Sequence, residues 1–324
     1  AKRKQNLTGL YISPRLRDSL APIGRCALTT VVAPMGYGKT TAINWYLAEQ
    51  AKGDAAVQTI RVSIYSDNLS VFWKSVQKAF AFAGLSFLEQ YPCPADTPSA
   101  SQLVDDPCPP LTGSVTYYPF IDDFHLMTDG RIVDFFCILA NRLPENVHVI
   151  VASRDRFLPR GEVVRLGGKL HQNTAEHLRL NHRELATYAH RCGIPLQEAD
   201  IAALLHSSEG WFSAVYLNLC FWAEQGTLPD KQSDIYEMFF NALIDPLPPQ
   251  RQEFLAVMGL ADEFSAEMAR FITEDPETDQ ILAALTEQNP FVTRLSDGVT
   301  FRFHHMMKAC AEQAFAQLEP AKQN

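Results

Sequence analysis

No stretch of these 324 residues approaches the ~18 uninterrupted apolar residues of a membrane span, and no signal peptide opens the chain, so no membrane partner is expected. Positive charge is scarce as well. The 28 Lys and Arg against 37 Asp and Glu leave a formal net charge of −9, which argues against a grip on nucleic-acid phosphates. Lys2, Arg3 and Lys4 at the N-terminus read as a solvated tail. The seven cysteines are odd in number and irregularly spaced, and no Cys/His group has zinc-site spacing. A structural metal is therefore not expected, and the pattern suits a reducing compartment, so the expected location is cytoplasmic. Cys93 and Cys108 bracket a proline-rich stretch and are close enough in sequence to pair, but two free thiols are the expectation. No internal repeat is visible.

With 47% apolar and 20% charged residues the chain has an ordinary globular composition, and its length suggests two or three domains. It begins at Ala1 without Met and ends at Asn324 without punctuation, so a longer parent is expected.

Ala33-Pro-Met-Gly-Tyr-Gly-Lys39-Thr40-Thr41 carries the most chemistry. It fits the phosphate-cradling loop of P-loop nucleotide hydrolases, with Ala33 in place of the opening glycine. Cys26 to Val32 reads as a buried strand leading in, and the apolar positions Ala42, Ile43, Trp45, Tyr46 and Leu47 read as a helix ending at Lys52-Gly53. Gly36 and Gly38 allow the tight turn that points successive N–H groups at phosphate oxygens, with Tyr37 between them and Thr41 closing the loop. In this reading Lys39 reaches the β- and γ-phosphates and the Thr40 hydroxyl holds Mg²⁺. Strand, turn and helix agree independently, which disfavours a glycine turn with a chance Lys-Thr.

The first half alternates strand and helix signals. Ala56 to Ile64 alternates as a strand, while Leu69 to Ala83 places Phe72, Val76, Phe80 and Ala83 on one helical face. Glu89 to Gly113 holds six prolines and reads as a long exposed loop. Tyr117 to Ile121 returns to strand character, Ile132, Phe135, Phe136 and Leu139 mark an amphipathic helix, and Val147 to Ala152 is another buried strand. The succession predicts an α/β three-layer domain with a parallel sheet. After Leu180 helical patterns dominate: Asn181 with Glu184 resembles an N-cap, followed by helices through Ala189, Ala199 to His206 and Trp211 to Glu224. A linker, Gly226 to Ser233, precedes helices at Ile235 to Ile244, Pro249 to Gly259 and Thr278 to Gln288. Two short strands, Phe291 to Leu295 and Thr300 to Phe303, then flank Ser296-Asp297-Gly298, a hairpin signal. Helices followed by a small hairpin describe a winged helix.

Tyr117 to Asp123 supplies the second half of a nucleotide site: Asp122 beside the metal and Asp123 as the residue that orients or deprotonates water. Alone, such a run is often a strand entering a turn. Pro119 is awkward in a central strand and implies either a start at Phe120 or a bulge. Arg154, just after the fourth strand signal, is placed to sense the γ-phosphate and stabilise transition-state charge; the alternative is a surface arginine. His304-His305, by pattern alone, reads as a polar pair on a folded edge.

Five segments resemble, in order, the motifs of MalT-like regulators, which are LuxR-type transcriptional activators of the STAND class (signal-transduction ATPases with numerous domains). They are Pro34 to Thr41, Ile121-Asp-Asp-Phe-His-Leu126, Ala152-Ser-Arg154, Glu209-Gly-Trp211 and Phe301-Arg-Phe-His-His-Met306. The resemblance implies a P-loop domain over 1–175, a helical domain over 176–233 and a winged-helix domain over 234–324, with sensor repeats and a DNA-binding helix-turn-helix beyond 324. It implies ADP buried in a closed monomeric form, ATP in an open self-associating form, and slow hydrolysis as the reset. Inducer and DNA would be bound through domains absent here. Residue by residue it implies Lys39 and Thr40 for phosphate and metal, Asp122 and Asp123 for metal and water, and Arg154 as sensor. Ile12, Pro14 and Arg15 would lie against adenine, and one of His304 or His305 would touch the β-phosphate. Trp211 stands where some relatives have an adenine-contacting proline, and the Glu89 to Gly113 loop departs from the family. Two further readings compete: a metabolic P-loop kinase or NTPase with a helical lid, and a nucleotide-binding scaffold without hydrolysis.

Overall fold

The computed structural model describes residues 10–53, 56–64, 66–94, 99, 102–103, 111, 113–228, 240, 244, 247–288, 292–295, 299–303 and 305–317. The chain packs as two units: Ile12–Arg179, and Leu180–Asn324 together with Ala1–Tyr11.

In the first unit β1 (Leu28–Val32), β2 (Val57–Ser63), β3 (Thr116–Asp122), β4 (Val149–Ser153) and β5 (Leu170–Thr174) form one parallel sheet in the order β2-β3-β4-β1-β5. Helices α1 (Pro14–Leu20) and α2 (Lys39–Gly53) supply Leu20, Ile43 and Tyr46 to one apolar cluster, with Val31, Ile150 and Ala152 from the sheet. The other cluster joins Leu28, Ile121, Val149 and Val151 to Phe72 of α3 (Leu69–Phe82) and Phe136 of α4 (Gly130–Arg142). Strands buried on both faces read as continuous apolar runs rather than alternations, which is why β1, β3 and β4 were conspicuous.

Two features depart from the sequence reading. First, β3 runs straight through Pro119, which pairs in register with Ile60 of β2. The ladder to β4 is instead interrupted: a bridge joins Tyr117 to Val147, and regular pairing resumes at Phe120–Ile150. The missing N–H is accommodated by a gap on the β4 side, not by a late start or a bulge. Second, β5 was not anticipated. Its residues, Leu-His-Gln-Asn-Thr, are mostly polar, because among the described residues it is an edge strand paired only with β1. Helix α5 (Arg160–Leu166) precedes it and the short α6 (Ala175–Leu178) follows.

The second unit opens with α7 (His182–Arg191), α8 (Glu198–Ser208) and α9 (Phe212–Gln225), close to the expected helices. Asn181 and Glu184 form the anticipated reciprocal cap, at 3.0 and 2.9 Å. Leu185, Tyr188, Leu204, Val215 and Leu219 make the core. Between α8 and α9, Gly210 (φ 74°) brings its backbone against Leu180, whose N–H donates to the Gly210 carbonyl at 2.8 Å. A Cβ there would lie 2.1 Å from the Leu180 carbonyl oxygen, so only glycine fits.

The same unit continues with α10 (Pro249–Met258), β6 (Glu263–Ser265), α11 (Ala266–Thr273), α12 (Thr278–Gln288), β7 (Val292–Arg294), β8 (Thr300–Phe303) and α13 (His305–Gln317). The sheet is antiparallel with β8 central, in the order β6-β8-β7. Helix, strand, two helices and a hairpin make a winged helix, as anticipated, although three-residue β6 and helices α11 and α13 were not read. Ser296-Asp297-Gly298, most of Ile235 to Ile244, most of the loop from Glu89 and Cys108 lie outside the described residues; Cys93 is a free thiol.

Candidate nucleotide site

The strand order places the carboxyl ends of β1, β4 and β3 side by side, and connections from β1 and β4 leave toward opposite edges of the sheet. Such a switch point is where open α/β sheets bind ligands. From β1 the chain enters Ala33 to Gly38, where Gly36 and Gly38 adopt φ of 78° and 75°, the left-handed conformation that favours glycine. Lys39 and Thr40 then open α2.

The Lys39 ammonium donates back to the carbonyls of Ala33 (2.8 Å) and Pro34 (3.0 Å), tying the loop closed. Burial pushes the Lys39 pKa below the ordinary lysine value; attraction from Asp122, Asp123 and Asp155 opposes that shift, and repulsion from Arg154 adds to it. Those interactions also locate Arg154: the residue after β4 shares the electrostatic environment of the phosphate-loop lysine.

Asp122 ends β3 and is buried. Its Oδ2 accepts from the Thr40 hydroxyl at 2.9 Å, across 82 residues of sequence, and its Oδ1 accepts from the Asp123 N–H at 2.9 Å. Asp123 takes the left-handed conformation (φ 54°), uncommon for a side-chain-bearing residue but tolerated by aspartate. It ends the strand and opens the following turn. His125 Nδ1 lies 3.9 Å from Asp123 Oδ1. A hydroxyl and a buried carboxylate in contact form a hard oxygen donor set of the type Mg²⁺ selects, so these residues fit that ion.

The sequence-predicted residues Gly36, Tyr37, Gly38, Lys39, Thr40, Thr41, Asp122, Asp123 and Arg154 thus come to one end of the sheet. Tyr37 packs against the α1/α2 cluster. Ser13 caps α1 with Pro14 as its first residue, and the Arg15 guanidinium donates to the carbonyls of Glu176 (2.9 Å) and Arg179, fastening α1 to α6. Ile12 directly precedes that cap. His304 lies outside the described residues; His305 is the first residue of α13. Asp155 and His125 were not assigned roles, though Asp155 directly follows the Ala152-Ser-Arg154 segment and His125 lies within Ile121 to Leu126.

Residues 240–323 match the model of the MalT winged helix domain. Similarity to complete proteins runs further. The HTH-type transcriptional regulator MalT of Yersinia enterocolitica is 23% identical over 337 residues, covering 96% of this chain and 36% of MalT. The serine/threonine-protein kinase PknK of Mycobacterium tuberculosis is 26% identical over 314 residues, covering 92% of this chain and 28% of PknK. The chain therefore spans about a third of the length of these curated relatives. Among solved structures, the STAND protein with a tetratricopeptide repeat sensor, PH0952 from Pyrococcus horikoshii, superposes with a TM-score of 0.65 at 15% identity, covering 94% of this chain and 42% of that one. That likeness is one of fold. Sequence likeness to MalT thus extends along nearly the whole chain, and its C-terminal end matches the MalT winged helix domain. Site geometry and relatives together support a nucleotide-binding regulatory module.

Proposed function

We propose that this MalT-like chain is the ATP/ADP-operated switch of a larger LuxR-type bacterial transcription activator. The hydrogen bond between Thr40 and Asp122 carries the reading, because it joins the phosphate loop to the acidic strand end where triphosphate chemistry needs both. Backbone N–H groups of Gly36 to Lys39 and the Lys39 ammonium bind the β- and γ-phosphates. Thr40 and Asp122 hold Mg²⁺, which when bound neutralises phosphate charge. Asp123 accepts the proton of the attacking water. Arg154 stabilises charge on the γ-phosphate and distinguishes ATP from ADP. Ile12, Pro14 and Arg15 flank adenine.

The switch is a population shift: ADP holds a closed monomeric state only by binding it more tightly, and a ~100-fold preference corresponds to about 2.7 kcal/mol. In this proposal one of His304 or His305 supplies differential contact at the β-phosphate, ATP releases a self-associating form, and slow hydrolysis restores the closed one. The domain division 1–175, 176–233 and 234–324 belongs to the same reading, with inducer and DNA recognised by parts of the parent protein outside this chain.

The test is the nucleotide released on denaturing purified protein. Near-stoichiometric ADP supports the closed switch; no affinity for adenine nucleotides rejects it. Phosphate release abolished by Asp123→Asn separates a hydrolysing switch from a scaffold. ADP exchange unchanged in both His304→Ala and His305→Ala removes the histidine contact from the scheme.

A further inference from the structure

On the α3/α4 side of the parallel sheet, beside the β5 edge, the first unit carries an open groove of about 630 Å³. That lies within the roughly 300–1,000 Å³ typical of small-molecule sites. Its lining includes Thr30 of β1, the apolar Phe157, Val163 and Val164, and Arg156 and Arg160. Among the described residues neither guanidinium has a hydrogen-bond or ion-pair partner. Val164 is 82% exposed, a large apolar side chain facing solvent beside two unpaired cations.

The floor is unsatisfied as well. Side chains alternate along a strand, and Leu28 belongs to the α3/α4-side cluster, so Thr30 two residues later faces the same way, toward the groove. Thr30 is buried and its Oγ1 has no hydrogen-bond partner among the described residues. In the function proposed above, phosphates would lie instead beyond the strand ends, at the loop that leads into α2.

We infer that this groove is a second ligand site, for a small organic anion. Arg156 and Arg160 present planar forks suited to a carboxylate or phosphate. Phe157, Val163 and Val164 cover an apolar body, and the Thr30 hydroxyl offers a hydrogen bond at the floor. Thr30 lies three residues before the phosphate loop and Arg156 two after Arg154, so a ligand here touches both segments that converge on the nucleotide site. The inference does not depend on nucleotide binding.

Phenyl phosphate and phenylacetate are the probes, with benzyl alcohol as the uncharged control, titrated into the full chain by calorimetry and by methyl NMR of Val163 and Val164. The expected result is saturable binding of at least one anion that shifts both methyl sets. It weakens at least about tenfold in Arg156→Ala/Arg160→Ala and in Val164→Glu, and is unchanged in Lys39→Ala. All these positions but Lys39 are solvent-exposed, and an unfolding temperature equal to wild type verifies each fold. No binding by either anion, equal binding of benzyl alcohol, or equal affinity in the arginine variant overturns the proposal. Loss of binding in Lys39→Ala also overturns it, by placing the probe in the phosphate loop. A protein with no affinity for ADP that still binds an anion here would refute the switch and leave the groove standing.

Discussion

The two sheets of this protein treat polar groups in opposite ways. In the winged helix, no charged side chain among the described residues is buried, and several pair on the sheet and its helices: Arg302 with Glu263, Lys308 with Asp262, and Arg270 3.7 Å from Asp279. The helix that would enter a DNA groove in a nucleic-acid-binding winged helix, α12, carries Asp279 and Glu287 and neither lysine nor arginine. That composition repels phosphate. At the parallel sheet, by contrast, burial holds Lys39 at the start of α2 below its ordinary pKa, and the hydroxyls of Thr29, Thr30 and Ser153 are buried without partners among the described residues. Desolvated polar groups collect around the strand that leads into the phosphate loop, whereas the winged helix spends its charges on its own fold. Unsatisfied polarity marks a place where the protein gives up stability for function.

Removing the lysine is the largest way to break that contrast. Charge-assisted hydrogen bonds contribute about 1.5–3 kcal/mol each, so Lys39→Met is expected to weaken ADP and ATP binding by about 100-fold, measured by calorimetry. The same change should raise the unfolding temperature of the nucleotide-depleted protein. Because the folded state disfavours the charged ammonium, protonated Lys39 destabilises the fold at neutral pH, and the penalty fades as pH rises through its depressed folded pKa. The gain from Lys39→Met should therefore be greatest near neutrality and shrink in alkali. A variant no more stable than wild type would mean that the loop carbonyls repay the burial in full.

A pair of glycines sharpens the comparison. Gly38 and Gly210 have nearly the same φ, 75° and 74°, but a Cβ meets nothing within 4 Å at Gly38 and the Leu180 carbonyl at 2.1 Å at Gly210. Gly210→Ala combines left-handed strain with backbone overlap and should destabilise the second unit by about 3 kcal/mol or more in denaturant titration. Gly38→Ala carries the conformational strain alone, about 1–2 kcal/mol, and should be felt mainly as lost nucleotide affinity. Equal destabilisation by both would show that the Leu180 contact relaxes freely.

The parallel sheet can also be probed from its far end. His148 Nδ1 donates to the Cys26 carbonyl at 2.9 Å, and burial lowers the His148 pKa while that bond partly opposes the shift. A histidine with a depressed folded pKa takes up its proton first in the unfolded chain, so stability is lost as pH falls below about 6.5, the unfolded value. His148→Asn retains a donor but cannot titrate, and should flatten the decline of unfolding temperature between neutral pH and pH 5 without altering nucleotide affinity. A decline as steep as wild type would assign it to other groups.

What could be read in the sequence follows from how much context each element needs. β1, β3 and β4 are buried on both faces, and the phosphate loop is local in sequence, so hydrophobic runs and a glycine pattern sufficed. The edge strand β5 was missed because His171, Gln172 and Asn173 owe their extended form to pairing with β1, which no local pattern encodes. The Thr40–Asp122 contact could be anticipated only from the way P-loop domains order their strands. The groove at Arg156 and Arg160 was illegible, since it forms only when the loop after β4, α5 and β5 meet.

The smallest effect isolates the cost of an unpaired hydroxyl. Thr29 is fully buried in β1, its Oγ1 has no partner among the described residues, and it faces the α1/α2 side with Val31, so it lines neither the groove nor the phosphate loop. Thr29→Val replaces that hydroxyl with a methyl of similar size. If the hydroxyl is desolvated without return, the substitution stabilises the fold by about 1 kcal/mol, with nucleotide affinity unchanged. In the winged helix the paired group behaves the other way: Glu263→Leu removes a partner of Arg302 and should destabilise. Opposite signs in the two sheets would establish that the parallel sheet alone carries uncompensated polarity. A destabilising Thr29→Val would show instead that this hydroxyl is satisfied in solution.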